Sequence, residues 1–113
     1  EFITAPFGVI GLETCLPLVI TKLVDEGVLS LAEAIAKLTL GPARILGLPM
    51  GKIEAGARAD VTVFDPLTEH TIDVNNFECK CRNSPFNGWR LKGKAVHVVV
   101  AGQLRLHDGR LVG

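Results

Sequence analysis

Apolar residues recur at spacings of three and four through Leu12, Leu16, Val19, Ile20, Leu23 and Val24, which places one stripe on a single helix. Pro17 falls inside that stripe, so it either occupies the first turn, where a missing N–H costs little, or kinks the helix. Gly27 is the natural stop. Ser30 and Glu33 form a capping-box pattern ahead of Ala34, Ile35 and Leu38, predicting a second short helix. Gly41-Pro42 breaks that helix, and Pro42 can open a last turn through Leu46 that Gly47 ends. Two or three helices are therefore expected over roughly residues 11–47.

The pattern changes at Pro49-Met50-Gly51, beyond which short alternating or β-branched runs lie between Gly, Pro, Asn and Asp. Val61-Thr62-Val63-Phe64 reads as a strand, with Glu69 to Asp73 as its expected pairing partner. Asn87-Gly88 signals a tight turn between Phe86 and Trp89. Lys94 to Ala101 is the strongest strand; Ala101-Gly102 turns it back into Gln103 to His107, and Asp108-Gly109 turns again. A helical first half and a strand-only second half predict two different layers, with no internal repeat.

Composition adds one expectation. The 113 residues are 48% hydrophobic and 21% charged, below the roughly 25% charged of an average soluble domain, and the mean hydropathy is +0.35. Such a chain either packs an unusually rich core or hides apolar surface against a partner or another part of the same protein. The chain opens without Met, in a Pro- and Gly-bearing loop, Ala5-Pro6-Phe7-Gly8, that runs directly into an apolar helix. The expectation is the tail of a larger protein.

Charge and cysteine usage exclude several classes. Net charge is zero, and no basic stripe is visible of the kind that displaces counterions from nucleic-acid phosphates. No apolar run approaches the ~20 residues that span a bilayer, and no secretory signal pattern is present. Three cysteines make no disulfide framework, which points to a reducing cytoplasm.

Candidate chemistry is sparse. On a strand, Cys79 and Cys81 would face one side, yet their spacing lacks the usual zinc pattern and two more ligands, so two reduced, packed thiols fit better. His97 shares a strand face with Ala95 and Val99 and reads as a hydrogen-bonded structural histidine; His107 reads as exposed, and His70 is uninformative. No HxH, HExxH or histidine-plus-carboxylate cluster is visible. Ser30 is occupied as a cap and Ser84 precedes Pro85 in a turn, so no nucleophile elbow exists. Gly47 to Lys52 falls one residue short of a phosphate loop and has Ile53 where a hydroxyl should be. Glu13 near the first helix start is expected to complement the helix dipole, not to transfer protons. On residues alone, no catalytic residue and no metal ligand can be assigned.

Three stretches nevertheless carry a resemblance: APFGVIGLETCLPL, then LTLGPARILGLPMGKIEAGARADVTVFDP, then CRNSPFNGWRLKGKAVHVVVAGQLRLHDGRLV. The middle one, with its G-x-I-x-x-G-x-x-A-D run, is similar to amidohydrolases in general. The outer two, above all Asn83 to Trp89 followed by Leu91-Lys92-Gly93, resemble the C-terminal end of dihydroorotase of the long bacterial type. The resemblance covers essentially the whole chain, in order.

That resemblance implies an α/β parent, a metal-dependent (β/α)8 TIM barrel. Residues 1–48 would be its last loop and closing helices, and residues 49–113 the C-terminal strands of a small flanking β-sandwich. It implies a zinc hydrolase that interconverts carbamoyl aspartate and dihydroorotate in pyrimidine biosynthesis, with zinc activating water and an Asp moving the proton. The family's ligands and that Asp would precede these residues, leaving this chain inactive alone. Only the loop carries over: Phe7 and Gly8 would offer backbone to substrate, with Pro6 shaping the turn. The implied partners are the remainder of the same polypeptide, a small-molecule substrate, and a homo-oligomeric copy or aspartate transcarbamoylase. Hydantoinase, dihydropyrimidinase and allantoinase are the enzymatic alternatives. A catalytically dead dihydroorotase-like subunit supporting aspartate transcarbamoylase is the non-enzymatic one.

Overall fold

The computed structural model describes residues 3–112. Helix α1 (Leu12–Val19) continues directly into a π-helical turn, Ile20–Val24. Pro17 sits inside α1 and is buried, so of the two expected positions the first turn is excluded. The wider turn that follows is closed by Asp25 N–H donating to Ile20 O at 2.9 Å, five residues back. Gly27, at φ +73°, then ends the segment. Helix α2 (Leu31–Leu38) starts as predicted: Glu33 N–H donates to Ser30 Oγ, and Ser30 N–H donates to Glu33 Oε2 at 2.8 Å. Thr39, at φ −127° and ψ −82°, separates it from α3 (Leu40–Ile45), which contains Pro42 in its first turn.

The sheet has four antiparallel strands in chain order, β1 (Val61–Thr71), β2 (Arg90–Val100), β3 (Gln103–His107) and β4 (Arg110–Leu111). Here one expectation fails. Glu69 to Thr71 does not fold back on Val61 to Phe64; both belong to β1, and both pair with β2. Asp65 pairs with Lys94 and Glu69 with Lys92, so Pro66, Leu67 and Thr68 bulge out opposite Gly93. The bulge closes on Asp65, whose carboxylate accepts from Leu67 N–H at 2.7 Å, Thr68 N–H at 3.2 Å and the Thr68 hydroxyl at 2.6 Å. These bonds, the Thr68 hydroxyl foremost, hold the Asp65 carboxyl below its ordinary range. A Pro-containing stretch that looks like a turn is thus a bulge within one strand.

The two turns predicted after the strongest strand form. Ala101 (φ +50°) with Gly102 (φ +78°) joins β2 to β3, and Asp108 (φ +48°) with Gly109 (φ +72°) joins β3 to β4. Positive φ at both central positions gives the turn twist that matches paired strands.

Helix and sheet meet at Gly93. A Cβ there would stand 3.0 Å from Ile20 Cγ1 and 3.6 Å from Pro17 Cα, so α1 and the π-helical turn that continues it approach β2 closely. Around that contact, Lys92 N–H donates to Thr21 Oγ1 at 2.8 Å and Lys92 Nζ pairs with Asp25 at 2.8 Å. The Asp25 hydrogen bond and charge raise the Lys92 pKa above its ordinary value. Buried residues cluster at this junction and under α2 and α3: Ile20, Leu91, Ile72, Thr14, Ala34 and Ala43. Leu12, the first residue of the predicted stripe, is exposed, as are Ile45, Ile53 and Leu67. A compact monomer of 12.1 kDa exposes roughly 6,000 Å², whereas this chain exposes 8344 Å². Of the two readings composition allowed, the rich self-contained core is not the one observed.

Candidate functional site

The loop before α1 is the one segment to which the resemblance assigns a ligand role. Pro6, Phe7 and Gly8 are exposed, and nothing lies within 4 Å of where a Gly8 Cβ would stand. The backbone here is therefore open to an approaching molecule.

The far side of this loop is held by the segment that follows the 3-10 turn Val74–Asn76. Ile10 N–H donates to Asn83 O at 3.0 Å, and Asn83 Nδ2 donates to Gly8 O. Glu13, in the first turn of α1, accepts from Glu78 N–H at 3.2 Å and Cys79 N–H at 3.0 Å. Its role is structural, as expected, but it works by tying a distant loop as well as by its place at the helix start. The segment is stiffened locally: Arg82 donates to the carbonyls of Cys79 and Cys81, and Ser84 Oγ accepts from Phe86 N–H at 3.3 Å. It ends in the predicted turn, with Gly88 at φ +81° and Phe86 edge-on to Trp89 at 5.3 Å.

The cysteines correct a second expectation. Cys79 and Cys81 lie in this loop, not on a strand, and Cys81 is exposed, so they are not a packed pair. Gly51, in the stretch that superficially suggests a phosphate loop, has a packing role. Its φ is +85°, and a Cβ would meet the Thr39–Leu40 backbone at 3.0 Å.

The structure also reveals a cluster that the sequence reading denied. His97 and His107 stack with ring centroids 5.0 Å apart, and their Nε2 atoms approach the two Asp108 oxygens at 3.6 and 3.5 Å. The hairpin signal at Ala101-Gly102 was legible, but a regular hairpin sets His97 opposite Leu106. A bulge between Val98 and Val99 pairs Val98 with Leu106 instead and so brings His107 alongside His97.

These three residues do not fit a catalytic metal. Asp108 N–H donates to His97 Nδ1 at 3.3 Å, which leaves the ring proton of the neutral imidazole on Nε2, the atom a metal would need. His107 and Asp108 are exposed. As expected, His97 is a half-buried, hydrogen-bonded histidine. Among the described residues no other group of three His, Cys, Asp or Glu side chains converges closely enough to hold an ion.

Between α1 and the sheet runs an open, mostly apolar cleft of about 1400 Å³, lined by residues including Leu12, Leu16, His70, Ile72 and Leu106. Small-molecule sites occupy roughly 300–1,000 Å³ and enclose their ligands, so this cleft is on the scale of a packing layer. His70 Nδ1 is buried in this region without a hydrogen-bond partner among the described residues. No helix is long and apolar enough to cross a membrane among the described residues.

A short helical layer on one antiparallel sheet, with a clamped loop at the helix start, is an α-plus-sheet segment whose surface calls for more protein. Residues 10–105 match the amidohydrolase family, and the chain belongs to that family. Its sequence is 46% identical over 106 residues to a dihydroorotase of Geobacillus sp. (strain WCH70), covering 94% of this chain and 25% of that one. It is 50% identical over 110 residues to a dihydroorotase of Syntrophotalea carbinolica, covering 96% and 26%. Among solved structures, an L-hydantoinase (dihydropyrimidinase) from Arthrobacter aurescens superposes with a TM-score of 0.90 at 30% identity, over 100% of this chain and 26% of that one. A D-hydantoinase (dihydropyrimidinase) from Thermus sp. gives 0.90 at 29%, over 100% and 25%. The chain thus spans about a quarter of the length of the relatives it matches.

Proposed function

We propose that these residues are the C-terminal segment of a dihydroorotase, an enzyme that closes carbamoyl aspartate to dihydroorotate with loss of water and reopens it. The supporting observation is the 46–50% identity to dihydroorotases along nearly the whole chain, against 29–30% to the hydantoinases that share its fold. A hydantoinase or dihydropyrimidinase reaction is the second reading, favoured by those TM-scores of 0.90.

In this reading residues 1–48 close a (β/α)8 barrel and residues 49–113 contribute strands to a flanking sandwich. The remainder of the polypeptide covers the apolar cleft and supplies the zinc site, since the histidine cluster here does not suit one. The chemistry zinc supplies, activation of water and polarisation of a carbonyl, belongs to that remainder. The share of this chain is the substrate wall: the backbone of Phe7 and Gly8, open on one side and clamped on the other. The protein works in the cytoplasm, on a soluble intermediate of pyrimidine biosynthesis.

The full-length polypeptide is expected to interconvert carbamoyl aspartate and dihydroorotate and to contain zinc. The 113-residue chain alone is expected to do neither. Turnover of hydantoin or dihydrouracil in preference to dihydroorotate favours the second reading. About one tightly bound zinc per isolated 113-residue chain, measured by metal analysis, overturns the assignment of the ligands to the rest of the protein.

A further inference from the structure

We propose that Asn83 is a positioning residue, which sets the backbone of Phe7 and Gly8 for substrate by gripping the loop from behind. This rests on the reading of that loop as part of the substrate wall.

Four hydrogen bonds form a closed circuit. The loop runs through Gly8 and Ile10 into α1; Glu13 in the first turn of α1 accepts the N–H groups of Glu78 and Cys79; the same segment continues to Asn83. Asn83 then returns to the loop twice, donating from Nδ2 to Gly8 O and accepting at its own carbonyl from Ile10 N–H. The two contacts lie two residues apart and use opposite polarity, so together they define the position and the tilt of the backbone between them.

Gly8 has no side chain of its own to pack, and Phe7 is fully exposed, so side-chain burial does not hold these two residues. A residue that can offer an amide N–H about one side-chain length from a backbone carbonyl suits this task. Asn provides that donor, whereas Asp of the same shape would set two acceptors against each other.

The test compares Asn83→Ala and Asn83→Asp with the parent in the full-length polypeptide. Three readouts are taken: steady-state kinetics with dihydroorotate, thermal melting, and hydrogen exchange of the peptide covering residues 3–10. A loop that binds ground state and transition state alike predicts KM raised about tenfold with kcat within about twofold, in both variants. Exchange in residues 3–10 is expected to quicken while exchange in β2 stays unchanged. Two results overturn the proposal: KM within twofold of the parent together with unaltered exchange in residues 3–10, or both variants losing the folded enzyme, which makes Asn83 simply structural. A parent that does not turn over dihydroorotate refutes the functional reading instead, and exchange at residues 3–10 still decides whether Asn83 holds the loop.

Discussion

Gly93 interrupts a run that otherwise reads as plain strand, and the reason lies on the other layer. Its φ is +99°, and the π-helical turn that continues α1 comes so near that a Cβ would sit 3.0 Å from Ile20 Cγ1 and 3.3 Å from Ile20 Cβ. Gly109 has a similar φ of +72° but only the flexible end of Lys94 near it, at 3.5 Å. Gly93→Ala therefore combines backbone strain with overpacking against a buried, β-branched side chain and is expected to cost about 2–4 kcal/mol. Gly109→Ala carries the strain alone, about 1 kcal/mol. Thermal melting of the full-length polypeptide carrying each substitution compares the two. Equal costs would mean that α1 does not press on β2 as described. The resemblance pointed to Leu91-Lys92-Gly93 as a particular motif; the structure supplies its cause, which no reading of one strand by itself could contain.

At the scale of elements, α2 is the clearest case of local chemistry fixing a boundary. Ser30 Oγ donates to Glu33 Oε2 at 2.7 Å and accepts from Glu33 N–H at 3.3 Å. These bonds, the Ser30 hydroxyl foremost and then its N–H, hold the Glu33 carboxyl below its ordinary range. A depressed folded-state pKa gives stability that is present above the unfolded value of about 4.3 and is lost as pH falls through the lower folded value. Acidification from pH 6 to pH 3 is thus expected to weaken the parent more than Glu33→Gln, the two converging at the acid end. Circular dichroism melts across that range check it, and parallel pH profiles would exclude a role for the ionised box. Ser30→Ala is expected to cost about 1 kcal/mol at neutral pH.

This box, the Gly27 and Gly47 stops and both two-residue turns were legible in the sequence because each is settled within a few residues. The continuity of β1 was not, because Pro66-Leu67 looks like a turn until β2 is seen to pair on both sides of it. The His97–His107 stack was hidden for a related reason, a bulge that periodicity does not count. The candidate site was the least legible part. Phe7 and Gly8 came from resemblance, and Asn83, 75 residues from Gly8, had no signal beyond its place in the Asn83 to Trp89 motif.

For the whole molecule, extent and surface point the same way. The radius of gyration is 15.7 Å, against roughly 13 Å for a compact chain of about this size, and the largest extent is 52 Å. The strand-and-helix scaffold is joined at one junction around Ile20, Leu91 and Gly93, while Leu12, Ile45, Ile53 and Leu67 face outward. An apolar surface of this kind demands cover, and a cleft of about 1400 Å³ along α1 is where cover would fit. The 113 residues expressed alone are therefore expected to bind the dye ANS strongly. In size-exclusion chromatography they should elute well above the 12.1 kDa of one chain. Supplying the remaining polypeptide in trans should reduce both effects, because burial of the same residues competes with the dye and with self-association. A monomer that excludes the dye and melts in one sharp transition would mean instead that the junction around Gly93 is a sufficient core.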